Sequence, residues 1–183
     1  MSNENKLVTR DEWLAYMEIG SEYHLIGEGF TSFSESKNPK EYSRHYVHER
    51  SERTDTTGFS PSIAYSCDVY SGDPVVQKIV EITDREIIGT EAQVNIVSVN
   101  TWNNTAFRRK YSIIPDGKGD GTDALIYSGN FKAAGDNEAG TWDASSKKFT
   151  SSSPMSTQGV DEGATIIDGE TEEPGTEEPG TEE

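Results

Sequence analysis

The sequence is poor in the residues that mark a disulfide framework, a helical bundle or a membrane segment. Cys67 is the one cysteine among 183 residues, so a structural disulfide within the chain is excluded and a cysteine-ligated zinc site lacks its thiolates. Hydrophobic residues make up 32%, and no run approaches the roughly 20 apolar residues that cross a bilayer. The polar start predicts no secretory signal, and we expect synthesis in a cytoplasm.

Basic residues are missing from the C-terminal part of the chain. Residues 161–183 hold ten acidic residues and end in two copies of Glu-Glu-Pro-Gly-Thr. Such a composition buries too little apolar surface to offset its ordering entropy, which predicts a disordered acidic tail over 151–183. Without those ten acids, 23 acidic residues stand against 16 basic ones, a net charge of -7. That sign opposes binding to a phosphate backbone but is compatible with letting nucleic acid pass.

Strand patterns dominate residues 1–150. In 59–70, Ile63, Tyr65 and Cys67 alternate with polar residues, as in a half-buried strand. Segments 22–34, 107–114 and 124–134 also predict strands, with a last short one over 141–149. Apolar residues in 92–102 change parity after Ile96, which indicates a bulge. Gly27 and Gly29 indicate a bulge or a close backbone approach.

One amphipathic helix is predicted over 74–83. Asp73 is a good N-cap, Pro74 suits the first helical position, and apolar residues follow at helical spacing. The helix has room to continue to Ile88 and end at Gly89. Its predicted core face consists of Val76, Ile79 and Val80.

A second start signal, Thr9 to Glu12, fits a capping box, but the residues after it suit a short helix or a strand. The whole pattern predicts a mainly β fold, an antiparallel β-sandwich or partial barrel with one α-helix packed on its outside.

Segment 35–58 interrupts these patterns with a long hydrophilic stretch. Loops of this length inside a compact domain are usually functional or disordered. We expect it to be locally basic against an acidic body, through Lys37, Lys40, Arg44, Arg50 and Arg53.

Residues that could carry chemistry form no recognisable catalytic or metal-binding pattern. His45 and His48 could lie together, but their neighbours supply no evident third metal ligand. Segment 116–123 lacks the ligand spacing of an EF-hand loop, because Lys118 and Tyr127 occupy ligand positions. No hydrolase, phosphate-loop or dinucleotide motif occurs. We therefore expect no enzyme activity, no metal and no cofactor. The remaining candidates are ordinary turn carboxylates near Trp142, namely Asp136, Glu138 and Asp143.

Several segments, in order, resemble the major tail tube proteins of long-tailed, siphovirus-type bacteriophages of Gram-positive bacteria. The resemblance covers about residues 9–150 and rests on the order of the segments, because none is diagnostic alone. They are Tyr23–Thr31, Asn38–Glu41, Tyr46–Glu49, Ser60–Ile63, Asp73–Val75, Tyr127–Ala133, Gly140–Asp143 and Phe149–Thr150.

The resemblance implies a structural subunit of a phage virion that forms hexameric rings, stacked into a tube through which DNA passes without specific binding. It implies tape measure, tail terminator and distal tail proteins as further partners. Segment 35–58 would be the loop that reaches the next ring, its five bases meeting acidic groups there. The polar parity of the clearest strand would line the channel, with Ser60, Ser62, Ser66 and Asp68 as candidates.

Two other functions remain open from the sequence. One is the inner tube of a contractile phage tail or injection system, which uses the same fold. The other belongs to a different class, a monomeric β-sandwich module that binds carbohydrate, with Tyr70, Trp102 and Trp142 as stacking residues.

Overall fold

A computed structural model describes residues 5–119 and 122–152; the predicted tail lies outside them except for Ser151 and Ser152. The described residues form one α-helix, two short 3-10 turns and eleven strands. The helix α1 spans Pro74–Asp84. In that part of the chain, no helix has the length and apolarity needed to cross a bilayer. The strands are β1 Trp13–Ile19, β2 Glu22–Leu25, β3 Phe30–Ser36, β4 Pro39–Arg44, β5 Arg53–Phe59, β6 Ser62–Asp68, β7 Gln93–Asn100, β8 Thr105–Lys118, β9 Ile126–Ala133, β10 Glu138–Asp143 and β11 Lys148–Ser151.

The predicted mainly β fold is confirmed, as a single curled antiparallel sheet that makes a half-barrel. Its strand order is β2-β1-β7-β8-β9-β6-β3, while β4 and β5 form a separate two-stranded hairpin. Four strands separate β1 from β3 in this order, yet the rings of Trp13 and Phe33 lie 5.7 Å apart. The face that carries these two rings is therefore the concave one.

Residues 26–29 connect the two ends of this curl. The Ile26 amide donates to the Ala15 carbonyl at 2.8 Å, and the Asp68 amide donates to the Gly29 carbonyl at 2.8 Å. Gly29 has a φ of 81°, and a Cβ there would lie 2.8 Å from the Asp68 carbonyl oxygen. The close backbone approach predicted for this glycine is thus confirmed, and it requires a residue without a side chain.

Helix α1 packs against the concave face, and the prediction that it lies outside the sheet is wrong. Its side chains join inward-facing residues of β1, β6, β7, β8 and β9 in one apolar core. Val76 and Ile79 are fully buried there, whereas Val80 is half-buried at the flank. Val75 and Ile82 complete the buried stripe instead, because the helix is rotated slightly from the orientation that the sequence spacing favours.

Both ends of α1 are fixed by local hydrogen bonds. Asp73 Oδ1 accepts the Val75 amide at 2.8 Å, as expected of an N-cap. The helix ends at Asp84, not at Gly89, because the Ile87 amide donates to the Ile82 carbonyl at 3.0 Å and closes a Schellman-type turn. Glu86 occupies the left-handed position of that turn, with a φ of 51°.

The capping box at the start of the chain precedes a single 3-10 turn, Arg10–Glu12, and then a strand. Of the two interpretations open for residues 13–19, the strand is correct. Met17 is fully buried on the concave side, and the strand pairs with β7 along five residues. The tertiary pairing therefore overrides a genuine local helix-start signal.

Strand β7 contains no bulge, since its register with β1 and with β8 is continuous. Its two parities are buried in different places: Val94 and Ile96 enter the core under α1, while Val97 and Val99 lie on the convex face. The predicted bulge is wrong because both faces of this central strand are covered.

The cover on the convex face comes from β10 and β11, where the sequence predicts one strand and the structure has a hairpin. Trp142 of β10 stacks on Tyr16 with ring centroids 4.4 Å apart and meets Tyr23 edge-on at 5.4 Å. This second cluster adds a partial outer layer over β1, β7 and the first half of β8.

Candidate functional site

A continuous polar surface occupies the rest of the convex face. It is built from the outward-facing residues of β3, β6, β9 and the second half of β8, which pair in register so that hydroxyl groups lie beside one another. We call this surface the serine-rich face. Its members are Ser32, Ser34, Ser36, Ser62, Ala64, Ser66, Asp68, Ser112, Ile114, Ser128, Asn130 and Lys132, all exposed or half-buried.

Small hydroxyls dominate the serine-rich face, and formal charge is scarce on it. It contains one acid, Asp68, and one base, Lys132, at opposite ends of the β6–β9 pairing. Short polar side chains on this convex sheet expose a wetted, nearly neutral surface, which offers few fixed charges to hold a polyanion. Such a surface suits sliding contact better than tight binding.

Three of the four residues predicted to line a channel, Ser62, Ser66 and Asp68, lie on the serine-rich face. Ser62 Oγ also accepts a hydrogen bond from Asn38 Nδ2 at 3.0 Å. Ser60 lies just outside the sheet, where its amide donates to the Asn38 carbonyl at 3.1 Å. Ser60 therefore closes the root of the β4–β5 hairpin.

Segment 35–58, predicted as a loop, is largely strand: it contains the end of β3, all of β4 and most of β5. Strands β4 and β5 pair antiparallel along their length, with one register shift after Lys40. No residue from 37 to 60 is buried, so the hairpin projects without a core of its own. It exposes Tyr42, Tyr46, Phe59 and, completely, Val47.

The five bases of the segment do not give it a basic character, which corrects the charge argument made from the sequence. Residues 35–58 contain five acidic residues as well. Lys37 pairs with Glu35 at 2.5 Å, and Arg53 pairs with Glu49. Arg44 lies over the Tyr42 ring at 5.2 Å. Lys40 and Arg50 form no ion pair with any described residue.

Unpaired strand edges are the third feature of the surface. Within the described residues, β2 and β3 each pair on one side only, and so does β11. An open edge presents unsatisfied amide and carbonyl groups that recruit further strands. The sheet is therefore equipped to continue into another chain at more than one place.

The candidates for other chemistry are occupied by structural roles. Glu138 binds Arg108 at 2.7 Å, and hydrogen bonding to Ser151 and Arg108 lowers its pKa. Asp143 accepts from Ser146 Oγ at 2.7 Å and from two turn amides, which lowers its pKa. Among the described residues, no group of three or more His, Cys, Asp or Glu side chains could hold a metal ion.

The three proposed sugar-stacking residues do not form a common platform. Trp142 is only 7% exposed beneath the β10–β11 hairpin, so its ring faces are not available to a ligand. Trp102 lies in the β7–β8 turn, and Tyr70 follows β6 next to the close approach at Gly29.

Sequence reasoning missed most of the serine-rich face. The serines of β3 belong to a strand whose apolar residues, Phe30 and Phe33, are broken by a register shift between Phe30 and Ser32. The available signal was Ser32, Ser34 and Ser36 at a period of two, which matches the serine parity recognised in β6.

No protein-family model matches this chain, and no curated protein matches it either. Among solved structures, the chain is similar to a component of the tail of an empty GTA particle, computed with helical refinement and C6 symmetry; the TM-score is 0.54 at 11% identity, over 72% of this chain and 97% of that one. A component of the anti-feeding prophage baseplate, 6-fold symmetrised, gives a TM-score of 0.46 at 14% identity, over 74% and 96%. The first likeness shows that the two chains share a fold.

Proposed function

We propose that this chain is the structural subunit of a phage or phage-like tail tube, assembled as stacked hexameric rings around a channel. The observation that carries the proposal is the fold shared with a chain from a tail of C6 symmetry. The likeness covers nearly the whole of that chain. The proposed role includes no enzyme activity. The role is architectural, and its place is the virion or particle tail.

Ring formation is supported by the open edges of the half-barrel. Strands β2 and β3 lie at opposite ends of the sheet path, so an edge-to-edge contact between copies would be heterologous and would use two different strands. Repeated about an axis, such a contact closes a ring and removes the exposed edges. Identical rings present the same upper and lower surfaces, so one ring can stack on the next along the axis.

The serine-rich face is proposed to line the channel. The concave side of the sheet is filled by α1, and part of the convex side is covered by β10 and β11. The remaining convex surface is polar, low in charge and large enough to involve four strands. DNA would slide past hydroxyl groups and keep its counterions, because few Lys or Arg side chains are there to replace them at the phosphates.

The β4–β5 hairpin is proposed to contact the neighbouring ring. Its exposed side chains Tyr42, Tyr46 and Val47 are not buried by any described residue, and contact with an adjacent ring would bury them. Because the segment holds as many acids as bases, we expect a contact of mixed charge instead of a basic patch. The aromatic side chains would contribute most of its binding energy. Lys37, Lys40, Arg44, Arg50 and Arg53 then act as rim charges.

Electron microscopy of two matched variants tests the proposal. Residues 39–59 are replaced by Asn-Gly, which joins Asn38 to Ser60 where the two strands already pair. Because the hairpin contributes no buried residue, the variant should unfold at nearly the wild-type urea concentration. It should form single rings or monomers but no tubes, whereas the wild-type chain should form tubes.

The control keeps the hairpin and removes one base elsewhere: Lys147→Gln should leave tubes intact, because Lys147 is exposed in the turn between β10 and β11, outside the proposed contact. Tubes formed normally by the hairpin-less variant would contradict the inter-ring role. A wild-type chain that stays monomeric at high concentration would contradict the proposed function as a whole.

The inner tube of a contractile tail or injection system is the second form of this proposal, because the fold that carries the first carries it equally. The two differ in what surrounds the tube, not in the subunit. Mixing purified tubes with a sheath protein encoded nearby would distinguish them, since only a contractile system would give a decorated tube.

A further inference from the structure

A cavity of about 690 Å³ lies between the root of the β4–β5 hairpin and the end of β9. Its apolar wall includes Phe59, which is 61% exposed. Its charged wall consists of Arg109, Lys132 and Asp136. The other lining groups are Asn38, Ser60, Pro61, Ser62, Ala133 and Gly135.

Arg109 has an unmet hydrogen-bonding requirement in this wall. Its Nε atom is buried and has no hydrogen-bond partner among the described residues. Neither Arg109 nor Lys132 forms an ion pair with any described residue. A carboxylate is the acceptor that a guanidinium binds best, so two cations without ion pairs at this cavity favour an acidic occupant.

The occupant that fits this cavity combines carboxylates with aliphatic side chains. Residues 160–170 of the same chain have that composition: Ile166 and Ile167 are flanked by Asp161, Glu162, Asp168 and Glu170. The carboxylates match Arg109 and Lys132, and the isoleucines match the exposed ring of Phe59.

The last described residue of the chain lies close in sequence pairing to the cavity wall. The Ser152 amide donates to the Ala139 carbonyl at 3.0 Å, and Ala139 is three residues from Asp136 in the cavity wall. Eight residues lie between Ser152 and Asp161, and the nine Cα–Cα steps across them can span roughly 30 Å when extended. Residues 1–160 carry a net charge of -7, so this segment is repelled from most of the remaining surface.

We propose that the acidic–aliphatic segment 160–170 binds intramolecularly in the cavity formed by Phe59, Arg109 and Lys132. The contact gives the acidic end of the chain a specific docking site instead of a purely solubilising role. Since Phe59 belongs to the root of the hairpin, the docked segment covers surface adjacent to the proposed inter-ring contact.

Carbodiimide cross-linking of the full-length chain tests this proposal, because the reagent condenses a carboxylate with a lysine amine only when the two are in contact. An equal mixture of ¹⁴N and ¹⁵N protein distinguishes cross-links within one chain from those between chains. We expect the tail carboxylates to couple to Lys132 at least roughly threefold more than to Lys40, an exposed and unpaired lysine of the hairpin. The products should be same-isotope pairs, and about 0.5 M NaCl should suppress them.

Two variants and one control make the result specific. Arg109→Gln should reduce coupling to Lys132 roughly three- to fivefold, the effect of losing one partly exposed ion pair. The double change Ile166→Ser and Ile167→Ser should reduce it similarly, although it leaves every carboxylate and every described residue unchanged. Arg50→Gln removes one base from the hairpin and should have no effect.

Equal coupling to Lys132 and Lys40, or coupling that neither variant changes, would overturn the proposal. A mixed-isotope fraction near one half, the value that random pairing gives for cross-links between chains, would overturn it too, because the segment would then bind a second copy. These results are separate from tube formation: a chain that forms tubes without this cross-link loses only the docking site, and a monomer that shows it loses only the tube function.

Discussion

The position of the serine-rich face relative to the channel can be tested with a cysteine at Ser66. This residue is half-buried on β6, and a thiol differs from its hydroxyl by one atom. The native thiol will not interfere, because Cys67 is fully buried. Burial, then the charges of Asp68 and Asp73, raise the pKa of Cys67 to about 11 from 9.0, which lowers its reactive thiolate roughly a hundredfold.

The assay compares two maleimides on assembled tubes, one small and one attached to bulky polyethylene glycol. Ser66→Cys should react with the small reagent, which diffuses along a channel, but not with the bulky one. The matched control is Ser146→Cys in the exposed turn between β10 and β11, which should react with both. In dissociated subunits, both variants should react with both reagents, so protection is attributable to assembly.

The difference expected in tubes is large, because a reagent that cannot enter the channel reaches only the cysteines at the tube ends. The labelled fraction of Ser66→Cys should therefore fall as tubes lengthen. Labelling of Ser66→Cys tubes by the bulky reagent as rapidly as Ser146→Cys tubes would refute the reasoning, because the serine-rich face would then lie on the outside.

Three further predictions concern the fold. Trp142→Ala should lower the free energy of unfolding by about 3 kcal/mol or more, because the ring fills the convex cluster, whereas Trp102→Ala should change it by less than about 0.5 kcal/mol; equal effects in urea unfolding would contradict the assigned burial. Glu86→Gly should stabilise the chain by about 1 kcal/mol, because its φ of 51° costs a residue with a Cβ; a lower urea midpoint would contradict this. Asp84 accepts hydrogen bonds from Lys118 and Tyr127, which lower its pKa below the ordinary 3.8. Its contribution to the free energy of unfolding is therefore complete above that pH and is lost as the pH falls further. Asp84→Asn should destabilise the chain at pH 6 and converge with wild type in strong acid, and a difference that stays constant with pH would contradict this.

The sequence predicts best those elements whose pattern has a single cause. Residues 62–68 bury one face and expose the other, so their alternation gives the strand directly. Helix α1 begins at the predicted N-cap because Asp73 and Pro74 act locally. Its predicted end at residue 83 is one residue short of the observed end, whereas the extension to Ile88 fails because the helix terminates at a left-handed Glu86, which has no signature in the sequence.

Errors occurred where a residue's environment is set by distant parts of the chain. The apolar residues Val97 and Val99 suggest a bulge from sequence, because the cover that β10 and β11 give to the convex face is not visible there. The β4–β5 hairpin is hidden because it has no buried face, so its polar residues carry no period. The Arg109 cavity combines β5, β8 and β9, and no local spacing relates them.

The convex side of the sheet has an apolar half, which is covered, and a polar half, which is exposed. On the convex side, the apolar residues Val97, Val99 and Ala106 lie under Trp142, and beyond the hairpin the surface changes to serine. A subunit that functioned alone would gain nothing from keeping this second half so uniformly small and so low in charge. In a ring, the same half would be the surface that every copy presents to one enclosed space. Because β10 and β11 cover the apolar half, only the polar half of the convex side stays exposed, as the proposed channel wall requires.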